Sequence, residues 1–419
     1  MNRFGAYSEA GRLKKVLLQR PDLSLRRLTP QNHDEFLFDE IIWVDEAARE
    51  HDCFAKVLIE NGVTVYYLQN LLEDVVSSVP GAKESILNEI VTENTAGFSI
   101  KEPLLEYLTD MEPKELAARL TGGLTVSEAL GFDIKKYKKH SLFASNSSPD
   151  DFLLPPLPNT LYTRDSSCWI YGGVSVNPMF SSARRRESVN IAAIYRNHPL
   201  FSGSEFEYWY PPQERGCRCE PENFGMASLE GGDVMPLGKG TVLIGTGERT
   251  KGNMAEYLAK ALFEKKAADR VIVCRMSPER AHMHLDTVFT MLSEDTATVC
   301  PDVMDNAVTF SIRPSENEGV FDIEKEKCVY DAISDALELE SLTLIPTGGD
   351  SYEAKREQWD DGNNVLALRP GVVVAYERNT YTNRNMIDAG IDVIEIKGGE
   401  LGRGRGGTHC LACPLLREA

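Results

Sequence analysis

One short pattern recurs along the chain and constrains its fold more than any other feature of the sequence. In each copy a polar or acidic head precedes two short apolar segments, which are joined by a small turn. Clear copies span residues 163–179, 230–249, 283–301 and 359–378, and residues 11–22 begin a weaker fifth copy. The turn sequences SED, GKG and RPG suit β-hairpins. Repeated units that bury a face against each other predict a closed, pseudo-symmetric ring whose heads point to one centre.

Helical patterns lie between these hairpins. Residues 45–60 place apolar or small side chains on one face of a helix, and residues 253–264 form another helical stretch. The segment VTVYYL, at residues 63–68, is typical of a strand. The chain is therefore predicted to be an α/β protein.

Residues 73–148 differ in character from the rest of the chain. They contain several short helical patterns separated by proline or glycine, and strand signals are nearly absent. A polar, proline-rich segment at residues 145–159 then leads back to the repeats. We interpret residues 73–148 as an inserted helical domain, and residues 1–72 and 149–419 as the α/β part that carries the chemistry.

Composition restricts the partners and the compartment. The formal net charge of −19 opposes general nucleic-acid binding but permits a small cationic substrate. The chain has no apolar run of membrane-spanning length and does not begin like a signal peptide, so we expect no membrane association. Its nine cysteines are scattered, which favours a reducing cytoplasm. Cys217 and Cys219 are expected to be incidental thiols in an exposed loop.

The heads of the repeats concentrate groups that titrate. They carry Asp165, Glu230 with Asp233, and Asp286. If the HLD segment is extended, His284 and Asp286 face the same way, because strand side chains alternate with a period of two. The two glycines between Glu230 and Asp233 allow the backbone to approach a ligand closely.

A cysteine near the end of the chain stands in an unusual setting. Cys410 lies in the stretch GRGRGGTHC, after Arg403, Arg405 and His409. Nearby cations lower the pKa of a thiol and favour the thiolate, so this setting predicts a reactive group. Cys413, three residues later, is interpreted as structural.

Two chemistries could use these residues. Metal binding is suggested by the spacing of His282, His284 and Asp286, and by the CxxC formed by Cys410 and Cys413, but no second pair of cysteines completes a zinc site. Alternatively, two carboxylates could hold a planar guanidinium while a thiolate attacks its carbon and a histidine moves protons. The residues by themselves leave both the metal site and the thiolate chemistry open.

Several motifs taken in order resemble the arginine deiminases, of the guanidine-modifying superfamily. They are LTPQNHDEFLFDEIIWVDEAAREHD, NTLYTRDSS, NPMFSSARRRE, LEGGDV, GERT, MHLDTVFTM, QWDDGNNVLAL and ELGRGRGG-x-x-C. The resemblance implies a five-bladed, pseudo-symmetric ββαβ propeller with a helical insertion. It also implies hydrolysis of L-arginine to L-citrulline and ammonia in arginine catabolism. The reaction would pass through a covalent thiouronium on cysteine, with no metal and no cofactor.

The resemblance also implies roles for the residues that would perform the reaction. The matching motifs imply that Cys410 corresponds to the nucleophile of the family and that His284 corresponds to its general acid and base. Asp165 and Asp286 are similar to the carboxylates that hold the guanidinium, and Glu230 to a third acid of the site.

Further residues are implied to bind the rest of the substrate. Arg184, Arg249 and Arg405 match the arginines that meet the α-carboxylate, and the planar fork of arginine suits that role. Asn159 matches an amide that contacts substrate, and Asp233 is placed with this binding group.

Alternative functions stay open from the sequence. A related hydrolase could act on agmatine or a methylated arginine, and an amidinotransferase would share the cysteine, histidine and aspartates. A non-catalytic protein that binds arginine or zinc belongs to a different class. The resemblance further implies a homo-oligomer, either a dimer or a tetramer.

Overall fold

The computed structural model describes residues 4–212, 227–317 and 321–419. Cys217 and Cys219 therefore lie outside the described residues. The chain adopts a mixed α/β fold, as predicted, with several separate small sheets.

The strands and helices alternate through most of the described chain. The strands are β1 Gly5–Ala6, β2 Leu13–Leu18, β3 Thr64–Tyr67, β4 Leu124–Thr125, β5 Phe152–Leu154, β6 Ser167–Ile170, β7 Gly173–Val176, β8 Glu207–Tyr210, β9 Val234–Gly238, β10 Thr241–Thr246, β11 Arg270–Arg275, β12 Phe289–Met291, β13 Thr296–Val299, β14 Val308–Pro314, β15 Phe321–Lys325, β16 Thr343–Pro346, β17 Leu366–Arg369, β18 Val372–Tyr376, β19 Asp392–Ile396 and β20 Cys413–Arg417. The helices are α1 Val44–Glu60, α2 Leu68–Ser78, α3 Ala82–Ile90, α4 Glu93–Ala96, α5 Lys101–Thr109, α6 Pro113–Gly122, α7 Leu142–Asn146, α8 Arg185–Asn197, α9 Pro199–Ser202, α10 Gly252–Glu264, α11 Pro301–Met304, α12 Val329–Ala336, α13 Ser351–Trp359 and α14 Thr380–Asp388.

Several sheets share one topology. In each, two strands pair antiparallel, and a third strand, reached through a helix, lies parallel to one of them. This arrangement holds for β6-β7-β8, β9-β10-β11, β12-β13-β16, β17-β18-β19 and β20-β2-β3. Among the described residues no sheet closes on itself, so the propeller arrangement of these units stays a prediction.

The weak fifth repeat is completed by the end of the chain. β2 pairs antiparallel with β20 and parallel with β3, so the two ends of the chain share one sheet. Nothing in the local sequence at residues 11–22 signals this partner, because β20 begins at residue 413. The pairing places Cys410 just before a buried strand.

The local predictions for hairpins and helices are confirmed. β9 and β10, β12 and β13, and β17 and β18 form the expected hairpins. The helix predicted at residues 45–60 begins at Val44, and the one predicted at residues 253–264 begins at Gly252. Both helices bury one apolar face and expose the other.

Helices α2 to α7 dominate residues 68–146, where the sequence predicts an insertion. Their apolar side chains share one core cluster with Trp169 of the first clear repeat and with Ile191 and Phe201 of the two helices that follow it, α8 and α9. The helices are therefore packed against that repeat, and the division into two domains stays a prediction.

Two heads of the repeats form short 3-10 turns rather than strands, at Gly231–Asp233 and Leu285–Thr287. The condition that HLD be extended is therefore not met, since a turn begins directly after His284. Within the described ranges, no helix is both long enough and apolar enough to cross a bilayer.

Candidate active site

Cys410 is buried, and an asparagine holds it by two contacts. The side-chain nitrogen Nδ2 of Asn364 donates to the thiol at 3.2 Å, and the side-chain oxygen accepts from the Cys410 backbone N–H at 3.0 Å. The thiol also lies 3.5 Å from Oδ2 of Asp286. The sequence analysis missed Asn364, although it stands in the motif WDDGNN. These contacts fix the direction of the sulfur atom.

The environment of Cys410 favours the neutral thiol. Burial, and then the carboxylates of Asp286, Asp165 and Asp361, raise the pKa of Cys410 well above its ordinary value. This corrects the expectation that neighbouring cations would lower it. In the fold, Arg403 pairs with surface carboxylates, while Arg405 stacks on an aromatic ring. A cation placed beside the thiol would lower this pKa again.

Alkylation should report this state of the thiol. We expect iodoacetamide to modify Cys410 slowly at neutral pH and faster as the pH rises above the ordinary thiol value of about 8.5. Asp286→Asn should shift the profile to lower pH, because it removes a negative charge beside the sulfur. Peptide mass spectrometry separates Cys410 from the exposed Cys53, which serves as the internal control. Rapid modification that is independent of pH below neutrality would contradict the raised pKa.

His284 lies between two acidic residues. Its Nε2 is 2.7 Å from Oε2 of Glu230, and its Nδ1 is 3.7 Å from Oδ1 of Asp165. Burial opposes the charged form, but these carboxylates outweigh burial and raise the pKa of His284 to about 9. At neutral pH the free protein therefore holds an imidazolium that can donate a proton.

Glu230 anchors the cationic side of the site. It lies 3.3 Å from Nη1 of Arg249 and 3.7 Å from Nη1 of Arg184. Burial raises its pKa, but Arg249, His284 and Arg184 together lower it below its usual range. Glu230 therefore stays ionised and orients the imidazole.

The glycines beside Glu230 are required by close packing. A Cβ at Gly231 would lie 1.9 Å from the backbone oxygen of Arg164, and one at Gly232 would lie 3.0 Å from both carboxylate oxygens of Asp286. The backbone N–H of Gly232 donates to Oδ1 of Asp165 at 3.2 Å. This close approach brings the carboxylates of separate repeats to one centre.

Asp286 is the first member of a chain of buried ionisable groups that continues through His409 and Glu9. His409 Nδ1 lies 2.9 Å from Oδ2 of Asp286, and His409 Nε2 lies 3.0 Å from Oε2 of Glu9. Arg164 completes the chain with a 2.7 Å contact to Oε1 of Glu9. Burial opposes charge on His409, but contacts with Asp286 and Glu9 raise its pKa. Glu9 was missed because no local pattern connects it to residue 409.

Arg184 forms an ion pair with Asp165, one of the carboxylates that the resemblance assigned to the substrate guanidinium. Its Nη1 lies 2.7 Å from Oδ2 of Asp165. Its Nε and Nη2 form a fork with Glu187, at 3.0 and 2.9 Å. A guanidinium group of the protein itself therefore lies on Asp165 in this structure.

The remaining predicted residues fall into two groups. Asn159 donates to the backbone oxygen of Phe36, and its own backbone oxygen accepts from Arg184. Asp233 instead accepts from the backbone N–H of Leu285 at 2.8 Å and does not line the central cavity. Asp233 thus positions the turn that carries Asp286.

Most of the predicted residues surround one small cavity. Those that line it are Asn159, Asp165, Arg184, Arg249, His284, Arg405 and Cys410. Leu37, Tyr162, Arg280 and Met283 also line it and were not assigned from the sequence. The cavity volume is about 10 Å³, room for about one water molecule. A larger ligand can enter only if the lining moves.

One group among the described residues has the geometry of a possible metal site. Ligand atoms of Asp165, Glu230 and His284 lie within 4.8 Å of one another. Arg184 and Arg249 already place positive charge on these carboxylates, which disfavours a metal ion there. The predicted pairing of His282 with this group is not seen, because His282 faces Glu279.

Cys413 is buried away from the cavity. Its sulfur lies 3.7 Å from the hydroxyl oxygen of Ser167 and 4.0 Å from that of Tyr195. Burial raises its pKa, so it remains a neutral thiol. These contacts agree with the structural role expected from the sequence.

Solved structures of low sequence identity share this fold. The amidinotransferase SxtG from Microseira wollei has 12% identity and a TM-score of 0.56, with 99% of this chain and 98% of that chain covered. DDAH from Pseudomonas aeruginosa, complexed with citrulline, has 13% identity and a TM-score of 0.51, with 96% and 99% covered. The N-terminal domain of ArgZ from cyanobacteria, covalently bound to a reaction intermediate, has 14% identity and a TM-score of 0.52, with 96% and 98% covered. The chain therefore shares the fold of these three proteins.

A family model identifies the family of the chain. The model described as arginine deiminase matches residues 34–417, which is nearly the whole chain. The chain belongs to the arginine deiminase family and is an enzyme that acts on a guanidinium group. This confirms the resemblance found in the sequence motifs.

Proposed function

We propose that this enzyme hydrolyses L-arginine to L-citrulline and ammonia, through a covalent thiouronium on Cys410. One observation carries the proposal. The guanidinium of Arg184 lies on Asp165, beside the imidazolium of His284, in a cavity that Cys410 also lines. The site thus has the charge and shape to hold a guanidinium next to a thiol.

Binding must rearrange this site. The cavity of about 10 Å³ cannot hold arginine, so Nη1 of Arg184 must leave Asp165 when substrate enters. The guanidinium of the substrate then takes the place of the Arg184 guanidinium on Asp165. This exchange of one cation for another keeps the buried charge balanced. Oδ1 of Asp286 is buried and has no hydrogen-bond partner among the described residues, so it is available to the substrate. Arg184 keeps its fork with Glu187 and lies near the incoming α-carboxylate.

The chemistry then follows from the protonation states. The bound cation lowers the cost of ionising Cys410, so the thiol loses its proton to water and the thiolate attacks the guanidinium carbon. His284, as imidazolium, donates its proton to the departing nitrogen, and the C–N bond breaks to release ammonia. Neutral His284 then takes one proton from a water molecule, whose oxygen adds to the thiouronium carbon. The C–S bond breaks, the second proton of that water returns to the sulfur of Cys410, and citrulline is released.

The arrangement of arginines favours a substrate that has an α-carboxylate. Arg184, Arg249 and Arg405 all line the cavity. Agmatine has no carboxylate, so it would leave the buried Nε and Nη1 donors of Arg405 without a partner. An amidinotransferase would transfer the amidino group to an acceptor amine, so turnover with such an amine present separates it from a hydrolase. ArgZ, a structural neighbour bound to its substrate and described as an arginine dihydrolase, further supports arginine as the ligand.

The products released from L-arginine test the proposed reaction directly. We expect the purified enzyme, with EDTA present, to release citrulline and ammonia in equal amounts from L-arginine. We expect kcat/KM for agmatine to be at least about 100-fold lower, because buried donors would be left unpaired. Asymmetric dimethylarginine and glycine, as an amine acceptor, test the alternatives. No citrulline from a folded enzyme, or faster turnover of agmatine, would overturn the proposal.

The other properties implied by the resemblance are also proposals. We infer a homo-oligomer and a cytoplasmic enzyme of arginine catabolism that requires no metal and no cofactor. The nine cysteines and the net charge of −19 support a reducing compartment and a cationic substrate. Activity that survives EDTA supports the metal-free assignment.

A further inference from the structure

We propose that Trp359 is a positioning residue that prepares Arg405 to bind the carboxylate of the substrate. The inference deepens the proposed function and rests on it. The motif QWDDGNN was part of the resemblance, but no role was assigned to its tryptophan. Its place in the fold supplies one.

The guanidinium of Arg405 lies over the indole ring of Trp359. The Cζ atom of Arg405 is 3.5 Å from the centroid of the ring. Trp359 is the last residue of α13 and is 41% exposed, whereas Arg405 is only 6% exposed. The indole therefore covers one face of the guanidinium and shields it from water, while its own far side stays exposed. Such stacking is a strong form of cation–π contact.

Only one of the three guanidinium nitrogens of Arg405 has a hydrogen-bond partner among the described residues. Nη2 of Arg405 donates to the backbone oxygen of Ala281 at 3.1 Å. Nε and Nη1 are buried, and neither has a hydrogen-bond partner in the described parts of the chain. Arg405 also lines the cavity that contains Cys410. A buried cation with unpaired donors at a ligand cavity is suited to an anionic group of that ligand.

The backbone around Arg405 does little to fix the side chain. Arg405 has a φ of 63°, in the left-handed region, and lies between Gly404 and Gly406. A long arginine side chain loses rotamer entropy when it is held in one place. The stack on Trp359 supplies that restraint before the substrate arrives, so less freedom is lost on binding.

A second contact ties this pair to the catalytic turn. Nε2 of Gln358, the neighbour of Trp359, donates at 2.7 Å to the same Ala281 oxygen that Arg405 contacts. Ala281 precedes His284 by three residues. The end of α13 thus sets the distance between the proposed carboxylate ligand and the acid–base histidine. Trp359 acts through Arg405 and does not line the cavity.

The test compares ligands with and without a carboxylate. In a Cys410→Ala background, which prevents turnover, calorimetry measures binding of L-arginine and of agmatine. We expect Trp359→Leu to weaken L-arginine binding by about 5- to 30-fold, the range of a desolvated cation–π contact. Binding of agmatine should change by less than about 2-fold. Trp359→Phe should restore most of the affinity for L-arginine, because it keeps an aromatic face.

Two further variants separate positioning from general damage. Tyr352→Leu, on the same helix and 79% exposed, should leave binding of both ligands unchanged. With Arg405→Ala already present, Trp359→Leu should have no added effect on L-arginine, since the two act as one unit. In the active enzyme, Trp359→Leu should raise KM for L-arginine and leave kcat nearly constant.

The outcomes distinguish the inference from the proposed function. Equal weakening of both ligands, or additive effects of the Arg405 and Trp359 substitutions, would overturn the role of Trp359 while leaving arginine hydrolysis intact. If the folded Cys410→Ala protein binds no L-arginine at all, the proposed function itself fails. A fall in kcat without a change in KM would also contradict positioning of the carboxylate.

Discussion

Replacement of Cys410 by alanine is expected to reduce citrulline formation by at least about 10⁴-fold, because the covalent route loses its nucleophile. The thiol lies 3.5 Å from Asp286 and is held by Asn364, so the direction of attack is built into the fold. Arg249 and Asp165 do not touch the sulfur, and the variant should still bind L-arginine. The measurement is kcat for citrulline release, together with the affinity for L-arginine.

A matched control lies three residues away. Cys413→Ala removes a buried thiol that contacts Ser167 and Tyr195, so it should lower stability modestly and leave kcat within about 3-fold. Acid quenching of the wild-type enzyme during turnover should trap arginine, less ammonia, on the peptide that contains Cys410. Activity of the Cys410→Ala protein above about 1% of wild type, or an adduct on another residue, would rule out the assigned nucleophile.

Replacement of His284 by glutamine is the second large effect that we expect. General acid–base catalysis contributes about 10²- to 10⁴-fold, and His284 serves in both half-reactions, so kcat should fall toward the upper end of this range. His282→Gln is the matched control, because His282 faces Glu279 rather than the cavity. Steady-state kcat for both variants, with folding checked by circular dichroism, makes the comparison. Equal losses in the two variants would contradict the assignment.

The pH profile provides an independent check on His284. Its pKa of about 9 means that the free enzyme carries the required imidazolium below that pH and loses it above. The reaction also needs the thiolate of Cys410, whose pKa is raised well above its ordinary value. We therefore expect kcat/KM, which reports groups of the free enzyme, to rise with pH up to about 9 and to level off there. Glu230→Gln removes the carboxylate at 2.7 Å and should move this bend to lower pH. A bend that does not move would mean that another group controls it.

Buried charge is the feature that links these effects. Cys410, His284, Glu230, Asp286 and Arg184 are all nearly inaccessible to solvent. Charges in such a site interact strongly, because water does not screen them. The free enzyme places Arg184 where the substrate cation is proposed to lie, and this keeps the carboxylates paired until exchange occurs.

Much of the fold was predictable from local patterns. Hairpins at the second, third and fourth clear repeats, and helices near residues 45–60 and 253–264, appear where periodicity and turn residues predicted them. These features depend on side chains within a few positions of one another, so a single stretch contains the needed information. The chemical identity of the site also came from the sequence, because short motifs carry it.

Long-range pairing was not predictable in the same way. β2 finds its antiparallel partner in β20 at the other end of the chain. Glu9 reaches His409 across 400 residues, and no periodicity encodes that contact. A 3-10 turn follows His284 in the HLD segment, and its first backbone N–H, that of Leu285, donates to Asp233 in another repeat.

The sequence by itself determined the types of local element, the residues that can react and the family to which they belong. Only the tertiary structure decided the protonation state of Cys410, the position of Arg184 on Asp165 and the stacking of Arg405 on Trp359. The physical reason is that pKa shifts and stacking depend on burial and on distances between residues far apart in the chain. The cations beside Cys410 in sequence suggested a thiolate, whereas the carboxylates around it in space hold the proton on the sulfur.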